Sequence, residues 1–108
     1  MIRLLYFSTA NADVDAAQVN EIAAVSAQAN AQRDVTGALA YNGRNFCQVL
    51  EGEDAVVRNL IAKIEQDPRH SGFKIIDKKS VDHRHFAEWS MKLVSDLDFS
   101  TVINAMNA

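Results

Sequence analysis

The 108-residue chain holds one cysteine, one proline and four glycines, and each scarcity excludes something. A lone Cys47 cannot close an internal disulfide, and its alternation away from Gln48 makes it a small core residue in a reducing compartment. With only Pro68 and so little glycine there is no linker, repeat or low-complexity stretch before the C-terminal tail. No apolar run approaches the ~20 residues a spanning helix needs, and "MIRLLYFSTANADVD" turns acidic too soon for a signal peptide. Basic residues are also few: 11 Lys and Arg stand against 14 Asp and Glu, and they are interleaved with acids. That pattern is no footprint for nucleic acid or a membrane surface. His70, His83 and His85 lack metal-ligand spacing with other donors, so no metal is expected. A cytoplasmic location is the expectation.

What is present is 48% apolar, enough for one domain with one core. "IRLLYFS" (2–8) reads as a strand, and "DAAQVNEIAAVSAQANAQ" (15–32) as a helix capped by Asp13 or Asp15. "VTGALAY" (35–41) and "FCQVLE" (46–51) flank Asn42-Gly43, a hairpin signal. "DAVVRNLIAKIEQD" (54–67) is an amphipathic helix with Asp54 as its cap, stopped at Pro68. "FKIIDKKS" (73–80) is a lysine-bearing edge strand. "FAEWSMKLV" (86–94) reads as a fifth strand with Trp89, Met91 and Leu93 on one face. In 98–107, Phe99, Val102, Ile103 and Met106 give a short third helix. The fold class is therefore α+β: a ferredoxin-like βαββαβ core with an added fifth strand and a short C-terminal helix. The first and third strands are expected as parallel neighbours at the centre of a mixed sheet.

Period-two alternation puts Tyr6 on one face of the first strand and Gln48 within an apolar third strand. If both point toward the helices, a phenol and an amide lie side by side in the core. A buried amide with no partner costs a few kcal/mol, on the order of 1–3, so Gln48 needs one. On the first helix Ile22, Ser26 and Asn30 fall at i, i+4, i+8 and bring a second amide to the same slot. Two readings stay open at this point: a self-satisfied Tyr–Gln–Asn network, or an apolar slot that holds a planar polar ligand. The opposite face, with Leu5, Phe7, Ala38, Ala40, Cys47 and Val49, is apolar too. The last helix covers part of it, and further chain, a second copy or a partner is expected to complete it.

"LLYFS", "SAQANAQRDVTGALAY", "FCQVLEGE", "KIEQDPRHS" and "RHFAEWSMKLV" occur in this order over residues 2 to about 95, and together they resemble the BLUF domain, a sensor of blue light using FAD. The resemblance implies a flavin-binding domain over 1–95, with 96–108 as a helical extension on the far sheet face. It implies FAD between the two helices, with Tyr6 as the photoactive tyrosine, Gln48 as the essential glutamine and Asn30 as a flavin-binding asparagine. Asp67 and Arg69 correspond to a family pair near the end of the second helix, with His70 beside them, and Arg69 suits a phosphate. Trp89 and Met91 correspond to the family's last-strand pair; spacing leaves open which of them approaches Gln48. Ile22, Ser26 and Ile64 are expected along the ring. Many relatives carry a second polar residue beside the asparagine, but Asn30 lies between Ala29 and Ala31, so one flavin carbonyl falls to Arg33, to backbone or to water.

The resemblance points to a receptor, not an enzyme. On illumination an electron and a proton are expected to leave Tyr6 and return with Gln48 rearranged. The partner would be a second copy or a signalling protein on the far sheet face. The rival readings are a small acyl phosphate hydrolase of the same fold and a structural dimerisation module. The first would need an arginine-bearing anion loop after the first strand, where "STANADVD" offers acids.

Overall fold

The computed structural model describes residues 1–94 and 99–107. In chain order the elements are β1 (Ile2–Ala10), α1 (Ala16–Gln32), β2 (Thr36–Tyr41), β3 (Asn45–Gly52), α2 (Asp54–Glu65), β4 (His70–Ser80), β5 (Lys92–Val94) and α3 (Ser100–Met106). The sheet order is β4-β1-β3-β2-β5. The α+β class, the added fifth strand and the short third helix are as the sequence predicts.

Strand direction at the centre is not. β1 and β3 pair antiparallel, with Tyr6 opposite Gln48 and Arg3 opposite Glu51. β1–β4 and β2–β3 are antiparallel as well, and only β5 runs parallel to its neighbour β2. The reason lies in the split βαβ unit. Each helix joins strands that are parallel but not adjacent, so the strand inserted between them is free to run the other way.

α1 starts where Asp15 and Gln18 form a reciprocal capping box: Gln18 N–H donates to Asp15 Oδ1 at 2.8 Å and Asp15 N–H to Gln18 Oε1 at 3.0 Å. α2 differs from expectation. Its N-cap is Glu53, without a side-chain cap bond, and Asp54 is the first helical residue. The Asp54 carboxylate turns to Arg58 one turn on, a pairing that competes with capping. The hairpin turn is Asn42-Gly43-Arg44, with Gly43 at φ 95° and Asn42 Oδ1 accepting from Asn45 N–H at 2.8 Å.

Two apolar layers sandwich the sheet. On the helix face Leu4, Tyr6, Leu39 and Leu50 pack with Val19, Ala23, Val57 and Ile61. On the other, Leu5, Ala38, Ala40, Cys47 and Val49 pack with Phe86 and with Phe99, Val102, Ala105 and Met106. Ile103, expected on the buried side of α3, is 41% exposed and Ala105 takes that place. Phe99 precedes the helix at φ 60°, so the first helical residue is Ser100 and the buried positions follow from it. The predicted domain boundary at 95/96 and the helix start at 98 lie outside the described residues.

The fifth strand is three residues long, not nine. Residues 86–91 turn instead: Trp89 N–H donates to Phe86 O at 3.0 Å, and Gly37 N–H to Trp89 O at 3.0 Å. Alternation therefore fails there. Met91 enters the helix-side core, while Trp89 and Leu93 are 49% and 38% exposed. Gly37 is required at that crossing, because a Cβ on it would lie 2.1 Å from Val49 O. Gly37→Ala should destabilise the fold by ~3 kcal/mol, the upper range for overpacking. A urea midpoint equal to that of the parent would contradict it.

The far face is also less apolar than its sequence pattern. Arg3 and Glu51 are fully buried there, joined at 2.8 Å. Glu51 accepts further bonds from His85 N–H at 2.7 Å and Phe86 N–H at 2.8 Å. Burial pushes its carboxyl up, but those two N–H groups and the Arg3 guanidinium outweigh it and hold the carboxyl below the usual range.

Candidate functional site

Between α1 and α2, above the sheet, lies an open cleft. Ile22 and Ser26 of α1 and Ile64 of α2 form its sides, Tyr6 and Gln48 its floor, and Asp67, Arg69 and His70 its rim, which brings these eight candidates together. Leu39 and Phe46 complete the floor and went unpredicted, although both alternate onto the helix face with Gln48. Asn30 and Arg33 line an adjoining pocket, which shares Ser26, Gln48 and Ile64 with the first.

The two strands set the chemistry of the floor. Cross-strand pairing places Tyr6 against Gln48, and the Tyr6 hydroxyl donates to Gln48 Oε1. Gln48 Nε2 donates to Met91 Sδ at 3.3 Å, so of the two last-strand candidates it is Met91 that meets the glutamine. Trp89 points outward, with Lys92 Nζ 5.4 Å from its ring centre. Burial drives the Tyr6 phenol far above its ordinary value, and the charges of Cys47 and Asp67 add to this. At neutral pH it is therefore a protonated donor. Its ring packs on Phe73 with centres 4.9 Å apart.

Asn30 does not join that pair directly. It is buried in the last turns of α1, and its Nδ2 donates to Ser90 O at 3.1 Å, clamping the residue before Met91. Its Oδ1 accepts from none of the described residues. A three-member Tyr–Gln–Asn network is thus absent among the described residues; two amides instead grip one segment.

At the rim Asp67 and Arg69 pair with Nη2 to Oδ2 at 2.5 Å, and the guanidinium holds the Asp67 carboxyl below its usual range. His70 is fixed at both nitrogens. The Ile64 carbonyl, which already accepts from Asp67 N–H at 3.1 Å, also receives His70 Nε2 at 2.5 Å. A carbonyl only accepts, so Nε2 carries the proton and Nδ1 accepts from Ser8 Oγ at 2.7 Å. Arg84 is committed away from the cleft, to Thr36 Oγ1 at 2.8 Å and Asp34 O at 2.7 Å. Among the described residues no group of three or more His, Cys, Asp or Glu side chains can hold a metal.

Comparison with known proteins identifies the class. The family of "sensors of blue-light using FAD", BLUF, matches residues 1–92. The chain belongs to that family. It is 33% identical over 90 residues to the blue light- and temperature-regulated antirepressor BluF of Escherichia coli, covering 83% of this chain and 22% of the relative. It is 36% identical over 92 residues to the photoactivated adenylate cyclase subunit alpha of Euglena gracilis, covering 83% of this chain and 9% of the relative. The chain thus spans about a quarter or less of these curated relatives. Among solved structures, the photo-activated state of BlsA superposes with a TM-score of 0.84 at 34% identity, over 97% of this chain and 77% of that one. The dark state of BlrB gives 0.84 at 31%, over 93% and 76%.

FAD is the cofactor of this family, and the cleft suits it. Apolar walls from Ile22, Ile64, Leu39 and Phe46 fit a flat aromatic ring system. Gln48 Nε2 has only a thioether, a weak acceptor, as its partner among the described residues, which leaves donor capacity for a ring carbonyl or nitrogen. Asn30 Oδ1 can accept a ring N–H. Neither the acyl phosphate hydrolase nor the dimerisation module finds support.

Proposed function

We propose that this chain senses blue light through FAD held in the α1–α2 cleft, and that Tyr6 and Gln48 carry the response. Ile22, Ser26 and Ile64 would flank the ring, Asn30 and Arg33 would meet its polar edge, and Asp67, Arg69 and His70 would close the rim. The observation that carries this reading is Gln48, whose amide bridges Tyr6 and Met91 on the cleft floor.

When bound, FAD would supply the light absorption and the capacity to accept one electron reversibly. Tyr6 gives that electron, its phenolic proton passes along the bond to Gln48, and both come back. Gln48 returns with its amide reversed or tautomerised. Reversed, it offers N–H to the Tyr6 oxygen and turns its carbonyl toward Met91. A thioether sulfur cannot donate, so the contact that held Met91 is lost. No covalent bond to the cofactor is made, and nothing is turned over. Residues 1–92 on this reading form a receptor whose signal passes to an attached or separate effector.

The domain proper would end near residue 95, with α3 as an extension on the far sheet face. That face, as an interface between copies or with a signalling protein, is the proposed output surface. No helix is long and apolar enough to cross a membrane among the described residues, and we place the protein in the cytoplasm.

The test is an absorption spectrum. The purified protein should be yellow, and blue light should shift its visible band slightly to the red, reversibly in the dark. A colourless protein that takes up no flavin on reconstitution would overturn the proposal.

A further inference from the structure

We propose that the buried Arg3–Glu51 pair is a latch through which the light-sensing cleft controls the docking of α3. This inference rests on the photoreceptor reading above.

One short segment connects the two faces of the sheet. Phe86 belongs to the far-face cluster, whereas Met91, five residues on, belongs to the helix-side core beneath the cleft. The segment is gripped at both ends. At the cleft end Gln48 Nε2 bonds Met91 Sδ and Asn30 Nδ2 bonds Ser90 O. At the far end the Glu51 carboxylate receives the N–H groups of His85 and Phe86. Gln48 and Glu51 lie three residues apart on β3 and face opposite sides, so the strand is a stiff spacer of roughly 10 Å between the two grips.

Arg3 extends the far grip to the third helix. While Nε holds Glu51 at 2.8 Å, Nη1 donates to Ala105 O at 3.1 Å and Nη2 to His83 O at 3.4 Å. α3 has seven residues, too few to be stable without tertiary contacts. Its place depends on the packing of Phe99, Val102, Ala105 and Met106 and on this guanidinium. A buried ion pair contributes little net stability over apolar side chains of the same volume, so its value here lies in the geometry it imposes on Ala105 O, His83 O and the His85–Phe86 backbone.

The sequence of events follows. Loss of the Gln48–Met91 contact removes one grip at the cleft end and frees the Met91 side chain to shift, while Asn30 still holds Ser90 O and Gly37 N–H still holds Trp89 O. His85 and Phe86 then shift relative to Glu51, the carboxylate loses fixed donors, and Arg3 follows Glu51 away from Ala105 O. α3 loosens.

Hydrogen exchange of the FAD-loaded protein, in the dark and under continuous blue light, tests this. Illumination should speed exchange at Phe86 and across α3 by roughly fivefold or more, the lower bound of usual coupling between sites. The double variant Arg3→Met, Glu51→Gln removes both charges of the pair. It should keep the red shift while α3 exchanges at one rate in dark and light. If that variant does not fold, Arg3→Lys keeps a charge beside Glu51 but lacks the fork that reaches Ala105, and should give the same uncoupling. Unchanged exchange at α3 in a parent protein that shows the red shift would overturn the latch alone. So would a parent-like light difference in the variants. A parent without any red shift would overturn the photoreceptor reading, and the latch with it.

Discussion

Tyr6→Phe should bind flavin and lose the light-induced red shift completely. Phenylalanine keeps the ring that packs on Phe73 and keeps the floor of the cleft apolar, so the cofactor's apolar surroundings are retained. What is removed is one hydroxyl. That hydroxyl is the donor to Gln48 Oε1, and it sits on the readily oxidised side chain in contact with the amide. Without it Gln48 has neither a proton supplied along that bond nor a fixed orientation in the dark. Burial raises the Tyr6 phenol well above its ordinary value, so the parent should show a shift of constant size across neutral and mildly alkaline pH. Stability should fall by about 1–3 kcal/mol, the penalty for a buried acceptor left without its donor. Light-minus-dark absorption and the flavin content of the purified variant check the two halves separately. A full shift in a flavin-loaded Tyr6→Phe protein would remove tyrosine from the scheme.

Tyr6 and Gln48 were legible in the sequence because strand alternation is a strong, local signal and both strands are long and regular. The cleft walls were legible for a similar reason: Ile22, Ser26 and Ile64 sit on helical stripes that face the sheet. Failures cluster where local pattern does not decide. Direction at the sheet centre depends on which strands a crossover joins, and the joined strands here are not neighbours. Trp89 and Met91 are two apart, which on a strand means one face; a turn at 86–89 separates them into solvent and core. Asn30 was rightly assigned to the helix stripe, but its bond to Ser90 joins positions sixty residues apart and no spacing encodes it. The Arg3–Glu51 pair was half legible. Alternation put Arg3 on the face of Leu5 and Phe7, and Glu51 follows Cys47 and Val49 by the same count. Two opposite charges on one apolar face are a signal once the strands are put in register, and register is what the sequence alone does not supply.

Glu51→Ala should cost ~3–5 kcal/mol, the loss seen when one partner of a buried ion pair is removed. Set against the ~5–15 kcal/mol of a typical domain, that is a large share of the total stability. The cost has two sources in this structure. Arg3 remains fully buried and loses the carboxylate at its Nε, and the N–H groups of His85 and Phe86 lose their acceptor. Glu51→Gln should be milder, because an amide oxygen still accepts from one backbone N–H. The same pair sets the acid limit of the parent. The Glu51 carboxyl is held low in the folded state, so the unfolded chain takes up its proton first as pH falls. The stabilisation is therefore complete above the ordinary carboxylate range, from about pH 5 upward, and is lost as pH drops through the lowered folded value. Asp67, held low by Arg69, adds a contribution of the same sign. Urea midpoints measured from neutrality into this range should fall for the parent and less steeply for Glu51→Gln. An acid slope unchanged by that substitution would move the titrating group from the far-face pair to the Asp67 rim.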